Sequence, residues 1–433
     1  MSRLILLSLA CSLLACRAGA AGAPAPEPLS LEEARATALR NHPQYAAAQL
    51  KILLSKEMLK EAQAGYYPVA NGYVTAVGAN AENTRILAGT LNNPSIYDRF
   101  AEGVAVSQLI TDFGRTGSLA SGAKYETRAA TEGEEAAREQ ILLNAEANYY
   151  AVLKAQSVID VARQTLSARG LLTNQIRALA ANKLKSELDV SFAEVAYEQA
   201  ELLLQNAEGQ GESSMASLST ALGFREPRTF VLTSRTPASP NEPVPDVGPL
   251  IELTLRQRPD LLGLHYDQQA AQSNADAERE ANYPTVAAVG VAGNSPSHDY
   301  HLPSNYAAGG IQLSLPIFAG GYYMARQHEA QIRARLAEET LRDAEDNAER
   351  DVQVAWVGLK DAVQRLRTTE QLLKHATQAF DLAKAQYKAG SASLVELTDA
   401  QVNQTSAAIA EADARFDTLI QRAILDFQTG SLR

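Results

Sequence analysis

The chain has 433 residues, a formal charge of −11 at pH 7, and 46% hydrophobic but only 6% aromatic residues. That length holds two or three ordinary domains or one elongated repeat architecture, and so few large side chains exclude two conventional deep cores in favour of long helices packed through small residues. An acidic balance without clustered Lys and Arg excludes a nucleic-acid partner.

The N-terminus reads as a signal peptide over residues 1–20: Arg3, the apolar run "LILLSLACSLLAC", then the small residues "RAGAAGA". The apolar run is too short to span a bilayer as a permanent helix. Two cleavage readings stand. "LLAC" has the form of a lipobox, which would leave Cys16 as a lipid anchor; "AGA" near Ala20 or Ala23 suits ordinary signal peptidase. Cys11 and Cys16 lie in or beside this segment, so the mature chain is expected to hold no disulfide.

The first structural repeat is expected over 30–223. Its helix, Ser30 to Tyr66, opens on the capping box "SLEE", then "AGYYPV" runs without a loop into a strand at 68–80, where Ala70, Gly72 and Val74 alternate with Val69, Asn71 and Tyr73. A loop containing "LNNPSIYD" precedes a second strand at 101–111. A helix follows over 115–181, then another after "NKLKS", closing at "ALGF". Residues 224–248 are proline-rich and read as an extended connector. The second repeat, 249–430, has strands at 284–293 and 306–315 and a long helix from Tyr322 to Lys388.

The two halves share one frame. Pro43 and Pro68 recur as Pro259 and Pro284, each at an offset of 216 residues; Gly114 recurs as Gly320 at 206, and Gly223 as Gly430 at 207. Such constancy reads as a tandem duplication. A helix of 67 residues is about 100 Å long, beyond any globular core. The shorter helices must stack in pairs to match it, which describes a tunnel wall. The strands are long enough to cross a bilayer when tilted. Four strands cannot close a barrel, and open edges are not tolerated in lipid, so membrane insertion would require oligomerisation.

"RPDL" at Arg258, "YYP" and "YP" at the two joins, "LSLPIFAGG" at Leu313 and "AGSASLVELTDAQ" at Ala389 carry a resemblance to the outer-membrane factor family, the TolC-like efflux and secretion channels, over almost the whole mature chain. The resemblance implies a mostly α fold with a small β part: a homotrimer whose chains each give four strands to a shared 12-stranded transmembrane barrel, continued by an α-helical tunnel. It implies as partners a periplasmic adaptor (membrane fusion protein), an inner-membrane pump and outer-membrane lipid. Carried over by position, Asp189, Tyr387, Glu396 and Asp399 match the family's periplasmic gate and acidic ring. Ala392 stands where some relatives have an arginine that clamps the gate.

Three copies would set Glu396 and Asp399 around one axis, and like charges focused in a narrow pore attract cations. A local reading competes for two of the acids: Ser393 to Glu396 and Ser186 to Asp189 have the spacing of capping boxes, whereas Asp399 has no such partner.

No catalytic motif and no cofactor site stand out. His298 and His301 in "SHDYH" read as a polar loop rather than a metal site. Trp356 and the pair Tyr149 and Tyr150 occupy equivalent places in the long helices and read as packing. Tyr66, Tyr67 and Tyr283 precede the strands where a membrane-interface aromatic belt would sit. The expected function is a passive exit duct of an efflux or type I secretion system. The alternative is a periplasmic coiled-coil scaffold or adhesin without a channel.

Overall fold

A computed structural model describes residues 27–77, 99–233, 244–297 and 303–432. The signal segment with Cys16, Ala20 and Ala23, the loop "LNNPSIYD" and His298 and His301 lie outside the described residues.

Each half begins with paired helices, α1 (Leu31–Asn41) and α2 (Pro43–Gln63) in the first, α5 (Val247–Gln257) and α6 (Pro259–Glu280) in the second. Each continues with two strands, β2 (Val69–Val77) and β3 (Arg99–Thr111), or β5 (Thr285–Ser297) and β6 (Asn305–Ser314). Each ends on a 67-residue helix followed by a 35-residue one: α3 (Arg115–Ala181) and α4 (Glu187–Ala221), α7 (Tyr322–Lys388) and α8 (Leu394–Gln428).

One expectation is corrected. The helix read as continuous from Ser30 to Tyr66 is broken at His42, whose backbone is extended (φ −76°, ψ 122°). Pro43 causes the break, because a proline ring disfavours helical geometry at the residue before it and is itself well placed at the first helical position. The His42 ring accepts from Gln44 N at 3.3 Å and so caps α2. Arg258 before Pro259 repeats the break (φ −66°, ψ 120°). The connector, expected to be extended, also holds a paired strand. Its residues Phe230–Leu232 form a strand, β4, that pairs in parallel with β1 (Glu27–Leu29). Leu29, Phe230 and Leu232 are apolar and sit in the main buried cluster with Tyr149, Leu153, Leu218 and Phe416. Burial of this apolar set outweighs the proline-rich composition around it. Tyr149 donates its hydroxyl to Leu29 O at 3.2 Å, and Trp356 donates Nε1 to Pro245 O at 2.7 Å. The equivalent aromatics of the long helices thus fasten the strands and connector that cross them.

The half-length helices stack through glycines. Gly223 ends α4 in the left-handed conformation (φ +81°), and a Cβ there would lie 2.8 Å from the Asn41 carbonyl carbon. Gly430 ends α8 likewise (φ +67°), and its Cβ would meet Arg258 Cα at 2.9 Å. The end of each 35-residue helix therefore abuts the proline break of its own half, with no room for a side chain between.

The four longer strands form one antiparallel sheet in the order β2-β3-β5-β6, with β3 against β5 joining the halves. β2 and β6 are its edges and have no further partner among the described residues, so the sheet is not closed within one chain. Tyr306 lies across Gly103 and Gly293, filling the space that two side chains would take.

At the first join α2 tightens into a 3-10 turn, Ala64–Tyr66, and Tyr67 is extended (φ −103°, ψ 157°) before Pro68. At the second, Tyr283 N donates to Glu280 O at 3.0 Å one residue before Pro284. A proline with no N–H and a restricted neighbour ends each helix and begins each strand, so no loop is needed.

Candidate functional site: the helical tip and the barrel join

The tip is built from two tight turns, α3 to α4 and α7 to α8. Both helices end in the same way. Lys183 (φ 61°) and Gly390 (φ 78°) are left-handed, and Leu184 N donates to Leu179 O and Ser391 N to Gln386 O, each at 2.9 Å. Both following helices start from serine. Ser186 N donates to Asp189 Oδ2 at 3.1 Å, and Asp189 N donates to Ser186 Oγ at 3.1 Å. Ser393 N donates to Glu396 Oε2 at 3.1 Å, and Glu396 N to Ser393 Oγ at 3.2 Å. Asp189 and Glu396 are therefore capping-box acids, and the backbone amide of Ser186, with its hydroxyl, holds the Asp189 carboxyl below the usual carboxylate range.

Tyr387 is half-buried against Ile176, Ala193 and Leu394, which places it between both hairpins. Its hydroxyl is buried and has no hydrogen-bond partner among the described residues. Lys185 Nζ lies 5.1 Å from the centre of its ring. Asp189 is committed to Ser186, so the structure brings Tyr387 and Asp189 to the same tip without joining them.

Asp399 is exposed on α8, and the group that answers its charge was not singled out from the sequence. Arg169 on α3 is only 4% exposed, and its Nη2 donates to Thr398 O at 3.2 Å. Burial lowers the Arg169 pKa, and the negative charge of Asp399 opposes that shift. Its Nη1 is buried without a partner among the described residues. Thr165 and Thr173 flank it at four-residue spacing: Thr165 Oγ1 is 3.1 Å from Thr405 Oγ1, and Thr173 Oγ1 donates to Ala193 O at 3.0 Å. Thr165, Arg169 and Thr173 thus make one polar row on α3 facing α4 and α8. That spacing of four was legible in the sequence; which helices it would face was not.

At the other end, Tyr66, Tyr67 and Tyr283 are 50%, 69% and 45% exposed in the single chain. Behind them the join is tied by polar contacts. Asp112 Oδ2 accepts from Thr116 N at 2.7 Å and so caps α3; Gln108 Nε2 donates to Tyr66 O at 2.9 Å; Ser118 donates to Glu280 Oε2 at 2.7 Å. Arg326 pairs with Glu278 at 2.5 Å across α7 and α6. Among the described residues no helix is long and apolar enough to cross a membrane, and no group of three or more His, Cys, Asp or Glu side chains is placed to hold a metal.

The sequence profile of the outer membrane efflux protein family matches residues 34–224 and 250–431, one stretch in each half. The chain belongs to this family and is an outer-membrane efflux channel protein. Among its relatives, the cation efflux system protein CusC of Escherichia coli K12 is 22% identical over 377 residues, which cover 84% of this chain and 78% of CusC. The toluene efflux pump outer membrane protein TtgF of Pseudomonas putida is 24% identical over 391 residues, covering 86% and 77% of the two chains. The fold matches a crystal structure of CusC with a TM-score of 0.79 at 19% identity, covering 92% of both chains. It matches the outer membrane channel CmeC of Campylobacter jejuni with a TM-score of 0.78 at 18% identity, over 93% of this chain and 85% of CmeC.

Proposed function

We propose that three copies of this chain assemble into one duct, a 12-stranded outer-membrane barrel continued by a helical tunnel, through which an inner-membrane pump and a periplasmic adaptor drive export. The open sheet carries this reading. Edges β2 and β6 would leave backbone donors and acceptors bare in lipid, each costing several kcal/mol. Pairing β6 of one copy with β2 of the next satisfies them. The helices also leave apolar rows bare, Leu188, Phe192, Val195 and Leu202 on α4 among them. Rows of this spacing are suited to packing against a neighbouring helix. The scaffold or adhesin alternative leaves both features unused.

The chain has the form of a passive conduit. Relatives named for cation efflux and for toluene efflux are similar to the same chain over most of its length, which supports a conduit whose cargo is chosen by the pump. Tyr66, Tyr67 and Tyr283 would lie at the lipid headgroups as an interface belt. Cys16 would carry the lipid anchor; incorporation of labelled fatty acid that survives Cys16→Ala would assign the anchor elsewhere.

Glu396 and Asp399 would form the acidic ring of the tip, since the capping role of Glu396 leaves its residue exposed and Asp399 is exposed one turn further along α8. The clamp that Ala392 cannot supply is taken over by Arg169, which holds the second turn of α8 from α3 through Thr398 O. The test is conductance in planar bilayers. Purified protein should give trimer-dependent, cation-selective channels, and Glu396→Gln with Asp399→Asn should shift the reversal potential toward zero selectivity. Absence of conductance from protein shown to be trimeric and inserted would overturn the duct; unchanged reversal potentials would remove the two acids from the pore.

A further inference from the structure

A cleft of about 510 Å³ opens at the tip between α3, α7 and α8. Its lining is mainly apolar, with Leu171, Leu172 and Phe380 prominent beside Gln175 and Gln401, and it also holds Lys185, Lys384 and Lys388. No acidic residue lines it. Two of the ammonium groups are placed by aromatic rings: Lys185 Nζ lies 5.1 Å from the centre of Tyr387, and Lys384 Nζ lies 5.7 Å from the centre of Phe380. Asp189, whose carboxylate feels the charge of Lys185, is turned to the Ser186 amide and hydroxyl. None of the three lysines makes an ion pair among the described residues. Three unpaired cations around one apolar cleft are a local reversal in a chain whose net charge is −11.

The face is separate from the acidic ring. Leu397 and Gln401 of α8 line the cleft, four residues apart on one side of the helix. At about 100° per residue, Glu396 and Asp399 point about 100° and about 160° away from Leu397. A ligand in the cleft therefore meets the lysines without meeting those carboxylates.

We infer that this cleft binds a small amphipathic anion, with its apolar body on Leu171, Leu172 and Phe380 and a single carboxylate or sulfonate head among Lys185, Lys384 and Lys388. The volume suits a small molecule. An anionic head gains charge-assisted hydrogen bonds from ammonium donors that make no ion pair among the described residues, and an apolar tail removes leucine surface from water that the single chain leaves exposed. The buried, unpartnered hydroxyl of Tyr387 beside the same cleft adds a polar group in need of an acceptor. A bound anion would touch both hairpins and tie α3 to α7.

Octanoate is the probe, titrated calorimetrically into the full chain in lipid nanodiscs, with octanamide as its uncharged counterpart. One saturable site per chain is expected for octanoate and none for octanamide. The triple variant Lys185→Ala, Lys384→Ala, Lys388→Ala should lose on the order of tenfold in affinity or more. Lys384→Gln alone, at an exposed position where folding is not at stake, should weaken binding measurably. Heat that never saturates, or that is identical in the triple variant, would mean octanoate enters only the lipid and would overturn the site. Binding does not depend on the duct reading: a null titration with conductance intact removes the site alone.

Discussion

Gly430→Ala tests how tightly the seam between stacked helices of the tunnel wall is packed. Two costs are expected. An alanine held at φ +67° suffers the steric penalty of the left-handed region, about 1–2 kcal/mol. Its Cβ must also find room 2.9 Å from Arg258 Cα and 3.1 Å from Gln257 O, both backbone atoms that cannot rotate away. Forcing a methyl group into a full site adds about 1–3 kcal/mol. The total is about 2–5 kcal/mol, and Gly223→Ala against Asn41 should match it. Gly390 supplies the control, since it has φ +78° but nothing within 4 Å of a built Cβ. Gly390→Ala should therefore cost only the conformational part. Helix ellipticity at 222 nm, followed through heating of the detergent-solubilised protein, reads the difference. If each half melts as a unit, Gly390→Ala should lower the midpoint by roughly 2–8 °C and Gly430→Ala by about twice that or more. Equal shifts would show that the Arg258 backbone yields, and that the seam is not close-packed.

Lys183→Gly is the mirror experiment, because Lys183 adopts φ 61° where the matching turn has Gly390; it should raise the melting midpoint, by about 0.5–1 kcal/mol in stability, once the unfolded-state entropy of glycine is set against the relieved strain. Glu139 is 3% exposed and its pKa is pushed from 4.5 to about 7, first by burial and then by Glu135, with Asp260 adding to the effect and Arg138 and Arg258 opposing it. The folded state therefore keeps this proton where the unfolded state has lost it, so stability should fall as pH rises from 4.5 to 7 and level off above. Glu139→Gln should flatten that stretch of the profile in denaturation midpoints measured across pH. Arg169→Met should leave stability close to the parent, since an incompletely paired buried charge is replaced by an apolar chain, while raising resting conductance through loss of the Thr398 contact. Asp399→Asn added to it should raise conductance little further, because both residues act through one contact region.

Much of the architecture was legible one residue at a time. Pro68 and Pro284 marked where helix becomes strand, and Gly223 and Gly430 marked where the 35-residue helices stop. The serine-to-acid spacing at Ser186 and Ser393 announced caps that both turns possess. These features follow from backbone sterics and from hydrogen bonds within four residues, so local sequence is sufficient to specify them. The break at His42 was available by the same rule, through Pro43, but was hidden by an uninterrupted helical pattern on either side.

Contacts between distant segments had no such local mark. Pairing of β1 with β4 depends on a shared buried cluster, not on strand-like composition in a proline-rich connector. Arg169 looked like one more helical arginine, and only packing of α3 against α8 brings it to Thr398, 229 residues away. The lysine-rimmed cleft likewise draws Lys185 and Lys384 from different hairpins. The sequence by itself determined lengths, breaks and caps, because short-range sterics and hydrogen bonding act within a turn or two. Tertiary structure decided which faces meet, because that depends on burying surface between elements hundreds of residues apart, and so it alone placed the charges that surround the tip.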